Sequence, residues 1–435
     1  MTDRRPVGAA RPLQATRAPA RAGTVGVCPE LADPSPPTVT LADVQAAAER
    51  IAGKVVRTPV LANQAISRAT GAEVVLKLDT MQVTGAFKER GAANKLAMLS
   101  EQDRERGVVA MSAGNHAQAV ARHAGLLGIA ATIVMPKFTP STKVTRTASW
   151  GANVVLLGET LAESAAHARE LAASRSLVFV HPYDDPSIIA GQGTLGLEML
   201  QDVPDLDALI IPVGGGGLVA GCLVAATGLK PDIAVYGAEV ENYAAMAQRL
   251  AGRSVSVGGA TIAEGVAVRD IGEIPFELVR RRIADVLVTP ERAIEEAISL
   301  LIEAAKTVAE GAGAVGLAAL LAHPERFRGK KVGIAITGGN IDARILSNVL
   351  LRGLQREGRL LRLHLEIPDR PGVLADIAGR IGARGGNIIE VSHQRLFAAA
   401  SVQAAVLEIM VEARDKVHAD AIVKSLEENY VVRCV

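Results

Sequence analysis

Three short segments of the chain combine residues that could together perform covalent chemistry. Residues 83–92 hold Lys88 among small side chains, and the other segments are residues 112–116 and 214–218. The Lys88 amine could form a Schiff base with an aldehyde. A glycine run at a helix start can cradle a phosphate with its backbone N–H groups. Most single lysines are solvated surface groups, so the prediction depends on the three segments together: a site for pyridoxal 5'-phosphate.

Lys88 is the predicted attachment point of this cofactor. It follows Phe87, another predicted cofactor contact, at the predicted start of a helix. A lysine attacks an aldehyde only as the neutral amine, and a desolvated pocket lowers its pKa toward that form. Lys77 falls in a predicted strand and Lys95 in the middle of a predicted helix. We expect these two to be ordinary surface lysines.

The glycine run is the predicted phosphate site. With the residue that follows, it comprises Gly214, Gly215, Gly216, Gly217 and Leu218. It comes after a predicted strand and opens a predicted helix, where free N–H groups and the helix dipole favour an anion. A dinucleotide site is the alternative, supported by Glu239 at about the spacing expected of a ribose-binding acid. That alternative is weaker, because the dinucleotide turn belongs near the start of a βαβ unit and this run lies mid-chain.

The segment after another predicted strand is the expected substrate site. Its residues are Ser112, Ala113, Gly114, Asn115 and His116. Because a helix is predicted to begin here, its free N–H groups could hold the substrate carboxylate. The Asn115 side chain is predicted to bind the phenolic oxygen of the cofactor. His116 is expected to have a supporting role, since a histidine at a helix start is more often a structural hydrogen-bonding group than a proton carrier.

Thr337 ends a predicted strand and is the candidate partner of the pyridine nitrogen. A hydroxyl does not keep that nitrogen protonated as a carboxylate does, so the ring is a weaker electron sink. A short-lived carbanion then favours prompt loss of a β leaving group over transamination. The alternative interpretation of Thr337 is a simple helix cap.

Apolar strands alternate with helical segments from Thr40 onward, which predicts an α/β fold with a largely parallel sheet covered by helices. The predicted strands are 74–78, 108–111, 131–135, 154–157, 177–180, 209–213, 235–239 and 332–337. The predicted helices include 117–127, 161–173 and 291–308. A ligand is expected beyond the carboxyl ends of the strands.

A second domain is predicted from about Arg359 to the C-terminus. Its elements are a strand 361–367, a helix 373–383, strands 387–396 and 402–411, a helix 415–428 and a strand 430–434. This βαββαβ order is ferredoxin-like. We therefore predict a disordered extension over residues 1–38, a catalytic domain over 39–356 and a small domain over 357–435.

Composition limits the class of protein. The chain has 435 residues, of which 49% are hydrophobic and 21% charged, and a formal net charge of +1. This balance gives no electrostatic case for nucleic acid, and no apolar run reaches the roughly 18 residues of a membrane span. The three cysteines are far apart and odd in number, which favours a reducing, cytoplasmic location over a disulfide framework.

From about Thr40 to the C-terminus, these motifs resemble the threonine dehydratases (threonine ammonia-lyases) of pyridoxal-phosphate fold type II, which carry a C-terminal ACT domain. The resemblance implies two parallel-sheet subdomains, the smaller over roughly residues 78–180, and a homodimer or homotetramer. It implies that Lys88 holds the cofactor and removes the Cα proton. The reaction implied is β-elimination from L-threonine to 2-oxobutanoate and ammonia, and from L-serine to pyruvate.

The resemblance also implies regulation of the enzyme by an amino acid. The residues matching the usual ACT ligand loop and facing strand are Asp369, Gly372 and Asn387. Isoleucine and valine are candidate effectors. The alternative is a dimerisation module without a ligand.

Single positions distinguish members of the family. Eukaryotic serine racemases have a serine where this chain has Ala113, and that serine is their second acid–base group. Racemisation is therefore expected to be poor. Serine racemases also hold a divalent cation, partly through acids near the position of Glu239. Here Ala245 stands in place of a second such acid, so no metal is predicted. Glu264 stands where the family usually has aspartate. The alternatives are a related serine or hydroxyaspartate dehydratase or racemase, and a non-catalytic amino-acid sensor.

Overall fold

The structure, a computed structural model, describes residues 39–394 and 404–435. The predicted extension 1–38 and the inner ends of the predicted strands 387–396 and 402–411 lie outside the described residues. Within the described part of the chain, no helix is long and apolar enough to cross a membrane.

The strands of the described residues fall into three sheets. In chain order they are β1 Val60–Ala62, β2 Glu73–Leu78, β3 Val108–Met111, β4 Ala131–Met135, β5 Asn153–Leu156, β6 Val178–Phe179, β7 Ala208–Pro212, β8 Ala234–Val240, β9 Asp285–Thr289, β10 Lys331–Ile336, β11 Leu360–Pro368, β12 Asn387–Gln394, β13 Ala404–Glu412 and β14 Val431–Cys434.

The helices connect and cover these sheets. In chain order they are α1 Leu41–Ile51, α2 Gln64–Thr70, α3 Lys88–Ala97, α4 Glu101–Arg106, α5 Asn115–Leu126, α6 Ser141–Ala148, α7 Leu161–Arg175, α8 Pro186–Asp202, α9 Gly217–Leu229, α10 Ala245–Leu250, α11 Glu273–Arg282, α12 Glu291–Ala305, α13 Gly311–Ala322, α14 Ala343–Arg356, α15 Val373–Ala383 and α16 Lys416–Glu427.

The larger sheet has the strand order β1-β2-β10-β7-β8-β9. Its pairs are parallel except β1 with β2. One apolar core packs α1, α8 and α9 against one face, and a second packs α12 and α13 against the other. With both faces covered, β7 is buried along its whole length, as is typical of parallel sheets.

A smaller parallel sheet, ordered β5-β4-β3-β6, is inserted between β2 and β7 in the sequence. Helices α3 and α5 contribute to its core on one face, and α7 contributes to the small cluster on the other. The predicted α/β fold with two parallel sheets is therefore confirmed. All four strands lie within the span 78–180, although the exact domain limits stay predictions.

The C-terminal sheet is antiparallel, with the order β12-β13-β11-β14. Apolar side chains of α15 and α16 pack against alternate residues of β11 and β13. The first strand of this unit therefore lies between the third and the fourth, and the predicted ferredoxin-like βαββαβ order is confirmed.

The main differences from the sequence prediction are two edge strands and one helix end. The short strands β1 and β9 were not predicted; each lies at an edge of the larger sheet, where one side lacks a partner and burial is incomplete. The helix predicted to reach residue 308 ends at Ala305, because Lys306 adopts a left-handed conformation with φ of 53°.

Four charged side chains form a buried cluster between β2, α3 and α8. Arg90 donates to Asp79 at 2.7 Å and to Glu198 at 2.8 Å, and Lys77 donates to Glu198 at 2.5 Å. Burial alone would raise the pKa of Asp79, but the Arg90 guanidinium and the Thr58 hydroxyl lower it below its usual value. Each charge is therefore compensated inside the protein.

The surface prediction for Lys77 is wrong, because its side chain is fully buried in this cluster. Its carboxylate partner Glu198 lies 121 residues away in the sequence, so no local pattern could reveal the pair. Lys95 is also not a free surface amine: it is partly buried and forms an ion pair with Asp185 at 2.6 Å.

Replacing Arg90 by methionine should destabilise the protein strongly. The change leaves Asp79 buried without its main partner, and breaking a buried ion pair in this way costs about 3–5 kcal/mol. We expect a loss of this size in the free energy of unfolding measured by urea denaturation.

Arg57→Met is the matched control, because Arg57 pairs with Asp202 at the surface with about half of its side chain exposed. A surface pair of this kind contributes about 1 kcal/mol or less. Equal losses for the two variants would contradict a special role for the buried cluster.

Candidate active site

A cavity of about 1010 Å³ lies between the two parallel sheets. It is bordered by the loops that follow β3, β7 and β10, as expected for a ligand site at the carboxyl ends of parallel strands. All the residues predicted for the cofactor and substrate line it, namely Phe87, Lys88, Ser112, Ala113, Gly114, Asn115, His116, Gly214, Gly215, Gly216, Gly217, Leu218 and Thr337. The fold thus brings the separate motifs to one place.

The Lys88 amine projects from the first turn of α3 into this cavity. Its Nζ donates to the Pro182 carbonyl at 2.8 Å and lies 5.2 Å from the centre of the Phe87 ring. Among the described residues no carboxylate contributes to its pKa. Desolvation by the cavity walls therefore lowers the pKa of Lys88 to about 8, which makes the neutral amine accessible near physiological pH.

The start of α3 is held by contacts on both sides of Lys88. The Phe87 N–H donates to the Thr337 carbonyl at 2.9 Å. The Glu89 carboxylate accepts from Arg122 at 3.0 Å and lies 3.2 Å from His123, and Arg90 enters the buried charge cluster described above. The lysine backbone therefore cannot shift without breaking buried polar contacts.

The glycine loop leaves its backbone open to the cavity. Gly216 has a φ of 95°, which disfavours any other residue, and no side chain caps the start of α9. A Cβ on Gly215 would overlap the Tyr183 ring, and one on Gly217 would lie 2.7 Å from the Tyr183 carbonyl oxygen. Only glycine allows Tyr183 to pack this closely. Because no side chain caps α9, its first N–H groups are available to an anion.

The start of α5 is a second uncapped helix end. Gly114 occupies the N-cap position without a side-chain hydrogen bond, and its N–H donates to the Ser112 hydroxyl at 3.1 Å. The His116 Nε2 lies 3.1 Å from the Val180 carbonyl, while Nδ1 is buried without a partner. Burial and the nearby Lys88 lower the pKa of His116 to about 3, so this ring is neutral and positioned by Val180, as a supporting group would be.

Asn115 belongs to a hydrogen-bonded network of polar side chains that was not predicted from the sequence. Its Nδ2 donates to Glu310 at 2.6 Å, and its Oδ1 accepts from Asn340 at 2.8 Å. Glu310 immediately precedes α13, and Asn340 follows Thr337 by three residues. Neither has a local sequence signal beyond its position beside a helix start or a strand end.

The comparisons with known proteins agree with this geometry. Residues 51–338 match the model of a family described as "Pyridoxal-phosphate dependent enzyme". The chain belongs to this family. The match covers both parallel sheets and ends just after Thr337.

Individual proteins of known name are also similar to this chain. The chain is 42% identical over 400 residues to an L-threonine ammonia-lyase of Thermotoga maritima, covering 91% of this chain and 100% of that protein. Among solved structures, maize serine racemase superposes with a TM-score of 0.68 at 33% identity, covering 73% of this chain and 99% of that chain. The processed form of threonine deaminase isoform 2 from Solanum lycopersicum superposes with a TM-score of 0.67 at 32% identity. This match covers 71% of this chain and 86% of that chain.

The residues of the cavity fit the family cofactor. The glycine loop ends at the uncapped start of α9, whose N–H groups can bind an anion, and Lys88 supplies an amine with a lowered pKa. Thr337 is buried beside the cavity, and its hydroxyl lies 3.5 Å from the Ala312 carbonyl oxygen, at the limit of a hydrogen bond. The phosphate, aldehyde and pyridine groups of pyridoxal phosphate thus have candidate partners, and a dinucleotide is not needed to explain the glycine run.

The Glu239 carboxylate is hydrogen-bonded to backbone N–H groups. Its two carboxylate oxygens accept from the N–H groups of Met246 at 2.8 Å and Ala247 at 2.9 Å. Burial raises the pKa of Glu239 to about 7. In the described residues no group of three or more acidic, histidine or cysteine side chains is arranged to hold a metal ion. The carboxylate holds the start of α10.

Glu264, whose role the sequence left open, lies at the mouth of the cavity. It forms an ion pair with Lys143 of α6 at 2.9 Å, with both side chains partly exposed. Helix α6 connects two strands of the smaller sheet, and Glu264 lies in a connection between two strands of the larger sheet. The ion pair therefore joins the two sides of the cavity mouth.

The predicted effector residues lie in the C-terminal domain. Asp369 is exposed between β11 and α15, and Gly372 precedes α15 with a φ of 91°. Asn387 opens β12, and its side-chain amide donates to Glu412 at 3.2 Å. Their role in effector binding stays a prediction.

Capture of pyridoxal phosphate by the cofactor-free protein should depend on pH through Lys88. Because only the neutral amine reacts, the rate should rise with pH and reach half of its maximum near pH 8. Stopped-flow absorbance at constant cofactor concentration measures this rate. A half-maximum above about pH 10, the ordinary range of a lysine, would contradict desolvation of the amine.

Proposed function

We propose that this chain is a pyridoxal-phosphate dependent threonine ammonia-lyase. It converts L-threonine to 2-oxobutanoate and ammonia and L-serine to pyruvate and ammonia. The observation that supports this most directly is the position of the Lys88 amine in one cavity with the glycine cradle and the uncapped start of α5. The similarity to an L-threonine ammonia-lyase over 91% of this chain supports the same substrate class.

Lys88 is the proposed acid–base group. The bound cofactor supplies an electron sink that makes the Cα proton of the amino acid acidic. The Lys88 Nζ, once released from the cofactor, accepts that proton, and its lowered pKa places the free amine near the best range for a general base. The β-hydroxyl would then leave as water with a proton that the cofactor phosphate can supply, and the released enamine would take up water to give the keto acid and ammonia.

The proposed roles of the other cavity residues follow from the groups they present. The backbone N–H groups at the start of α5 bind the substrate carboxylate, which orients Cα toward Lys88. Residues 214–218 bind the cofactor phosphate. The Thr337 hydroxyl faces the pyridine nitrogen, and a hydroxyl there favours elimination over reactions that need a long-lived carbanion.

The Ala113 side chain favours a lyase over a racemase. Ala113 lines the cavity beside Asn115 and has no group that can transfer a proton. The fold is shared with maize serine racemase, so the fold alone does not separate the two activities. A dehydratase acting on serine or hydroxyaspartate is the second candidate, and comparing keto-acid and D-serine formation across these substrates distinguishes them.

Replacing Lys88 by alanine should abolish keto-acid formation from both L-threonine and L-serine. The variant loses the amine that holds the cofactor and moves the Cα proton, and losing such a group typically lowers the rate by at least about a thousandfold. The measurement is 2-oxobutanoate and pyruvate release by purified protein, with circular dichroism to verify the fold.

Lys54→Ala is the matched control, because Lys54 is exposed and lies outside the cavity. It should keep the wild-type rate. Substantial turnover by the Lys88 variant would contradict the assignment, and absence of keto acid from the wild-type protein would contradict the proposed function.

We propose further that the C-terminal domain is an ACT domain that regulates this activity. The support is a polar connection through α12. Glu295 pairs with Arg356, on the helix that leads into β11. One turn earlier, Glu291 accepts from the Thr261 hydroxyl at 2.8 Å and the Ile262 N–H at 2.5 Å. These residues begin the loop that continues to the cavity wall, so a shift of α14 can reach the site.

Titration with isoleucine or valine should change both the rate of threonine turnover and the melting temperature. An effector that binds the folded protein stabilises it by mass action, and coupling between sites is typically a 5–150-fold change in affinity. If neither property responds to any branched-chain amino acid, the domain is better explained as a dimerisation module.

The assembly and location are proposed on simpler grounds. We propose a homodimer or homotetramer, as the family resemblance implies, which light scattering would measure. A cytoplasmic location is supported by the free thiol of the exposed Cys434, since an exposed unpaired cysteine suits a reducing compartment.

A further inference from the structure

Glu310 is a carboxyl group in the cavity for which the proposed reaction has no role. It occupies the N-cap position of α13, yet its side chain makes no capping hydrogen bond there. The side chain turns instead toward the cavity, where Oε1 accepts from Asn115 Nδ2 at 2.6 Å. The Glu310 side chain is therefore directed at Asn115 and not at the start of its own helix.

The absence of a side chain at Gly338 makes this position possible. A Cβ on Gly338 would overlap Glu310 Oε1 and would lie 3.3 Å from Asn115 Nδ2. The Gly338 carbonyl also accepts from the Glu310 N–H at 3.0 Å. Backbone and side chain of Glu310 are therefore both seated against the turn after β10.

The hydrogen bonds of Asn115 determine which way its amide points. Asn340 Nδ2 is a donor, so the Asn115 atom that faces it must be the oxygen. Glu310 presents an acceptor, so the atom that faces it must be the nitrogen. The amide cannot rotate by 180° without setting donor against donor and acceptor against acceptor. One hydrogen of Asn115 Nδ2 then remains, and no acceptor for it lies within the described residues.

The acceptor function of Glu310 does not require a negative charge. Burial raises the pKa of Glu310 to about 7. The hydrogen bond from Asn115 and the positive charge of Lys143 lower this pKa, and the negative charge of Glu264 raises it. Both protonation states are therefore populated near neutral pH. A protonated carboxyl group keeps its carbonyl oxygen as an acceptor, so Asn115 is held in either state.

We propose that Glu310 is a positioning residue that fixes the Asn115 amide with an N–H directed at the cofactor. This inference rests on the proposed function, because the ligand that receives the N–H is the phenolic oxygen of pyridoxal phosphate. Asn340 holds the oxygen end of the same amide and Glu310 the nitrogen end. Without Glu310 only the Asn340 contact orients the amide, and a turned amide would offer its oxygen, which an anionic phenolic oxygen would repel.

Two variants separate the hydrogen bond from the charge. Glu310→Gln keeps an acceptor oxygen of the same reach and removes the charge, whereas Glu310→Ala removes the acceptor. Glu303→Ala is the matched control, because Glu303 is an exposed glutamate on α12 outside the cavity. The measurements are the dissociation constant of pyridoxal phosphate from the cofactor-free protein and the absorbance maximum of the bound cofactor.

We expect Glu310→Ala to weaken cofactor binding by at least about tenfold, the effect of one lost hydrogen bond to a charged group, and to shift the absorbance maximum. Glu310→Gln should keep the affinity within about threefold and retain the wild-type maximum. A merely structural role would lower the melting temperature of the alanine variant without changing the spectrum.

Two results would overturn the inference. One is wild-type affinity and spectrum in Glu310→Ala, and the other is an equal loss of affinity in Glu310→Gln, which would mean that the charge matters and not the acceptor. In both cases the wild-type protein still captures pyridoxal phosphate and turns over threonine. A wild-type protein that captures no cofactor would instead overturn the proposed function itself.

Discussion

The site depends on how firmly the first turn of α3 is held. Lys88 is a single amine on a long side chain, and the residues that follow it are fixed from opposite sides. Glu89 is bound by Arg122 and His123 of α5, and Arg90 enters a buried cluster with β2 and α8. A charge at either position is tolerable inside the protein only because its partners are present. The same contacts that compensate the charges therefore fix the lysine between the two sheets.

The two parallel sheets supply the rest of the site through their carboxyl ends. The strands β3, β7 and β10 each end in a loop that borders the cavity, and two of those loops begin helices without a side-chain cap. Such helix starts have unsatisfied N–H groups, which would be costly in a closed core but suit the phosphate and carboxylate groups of ligands. The structure thus leaves polar groups unpaired where the proposed chemistry needs them.

Local patterns revealed the parts of the site that lie in continuous segments. Residues 112–116 and 214–218 follow strands and open helices, and both features are visible in the sequence. Glu310 and Asn340 were missed, because each acts through Asn115 from a distant part of the chain. The same reason explains the error at Lys77: its strand could be predicted, but the carboxylate that allows its burial belongs to α8.

The sequence by itself determined the order of the elements, since hydrophobic periodicity and glycine positions are local properties. The parallel sheets and the βαββαβ domain follow from that order, whereas the weak edge strands β1 and β9 do not, because their pairing partners define them. The sequence also determined the reactive groups, an amine and two uncapped helix starts. Only the tertiary structure decided that these groups share one cavity and that Lys88 loses its usual solvation, because burial and hydrogen-bond direction depend on residues far apart in the chain.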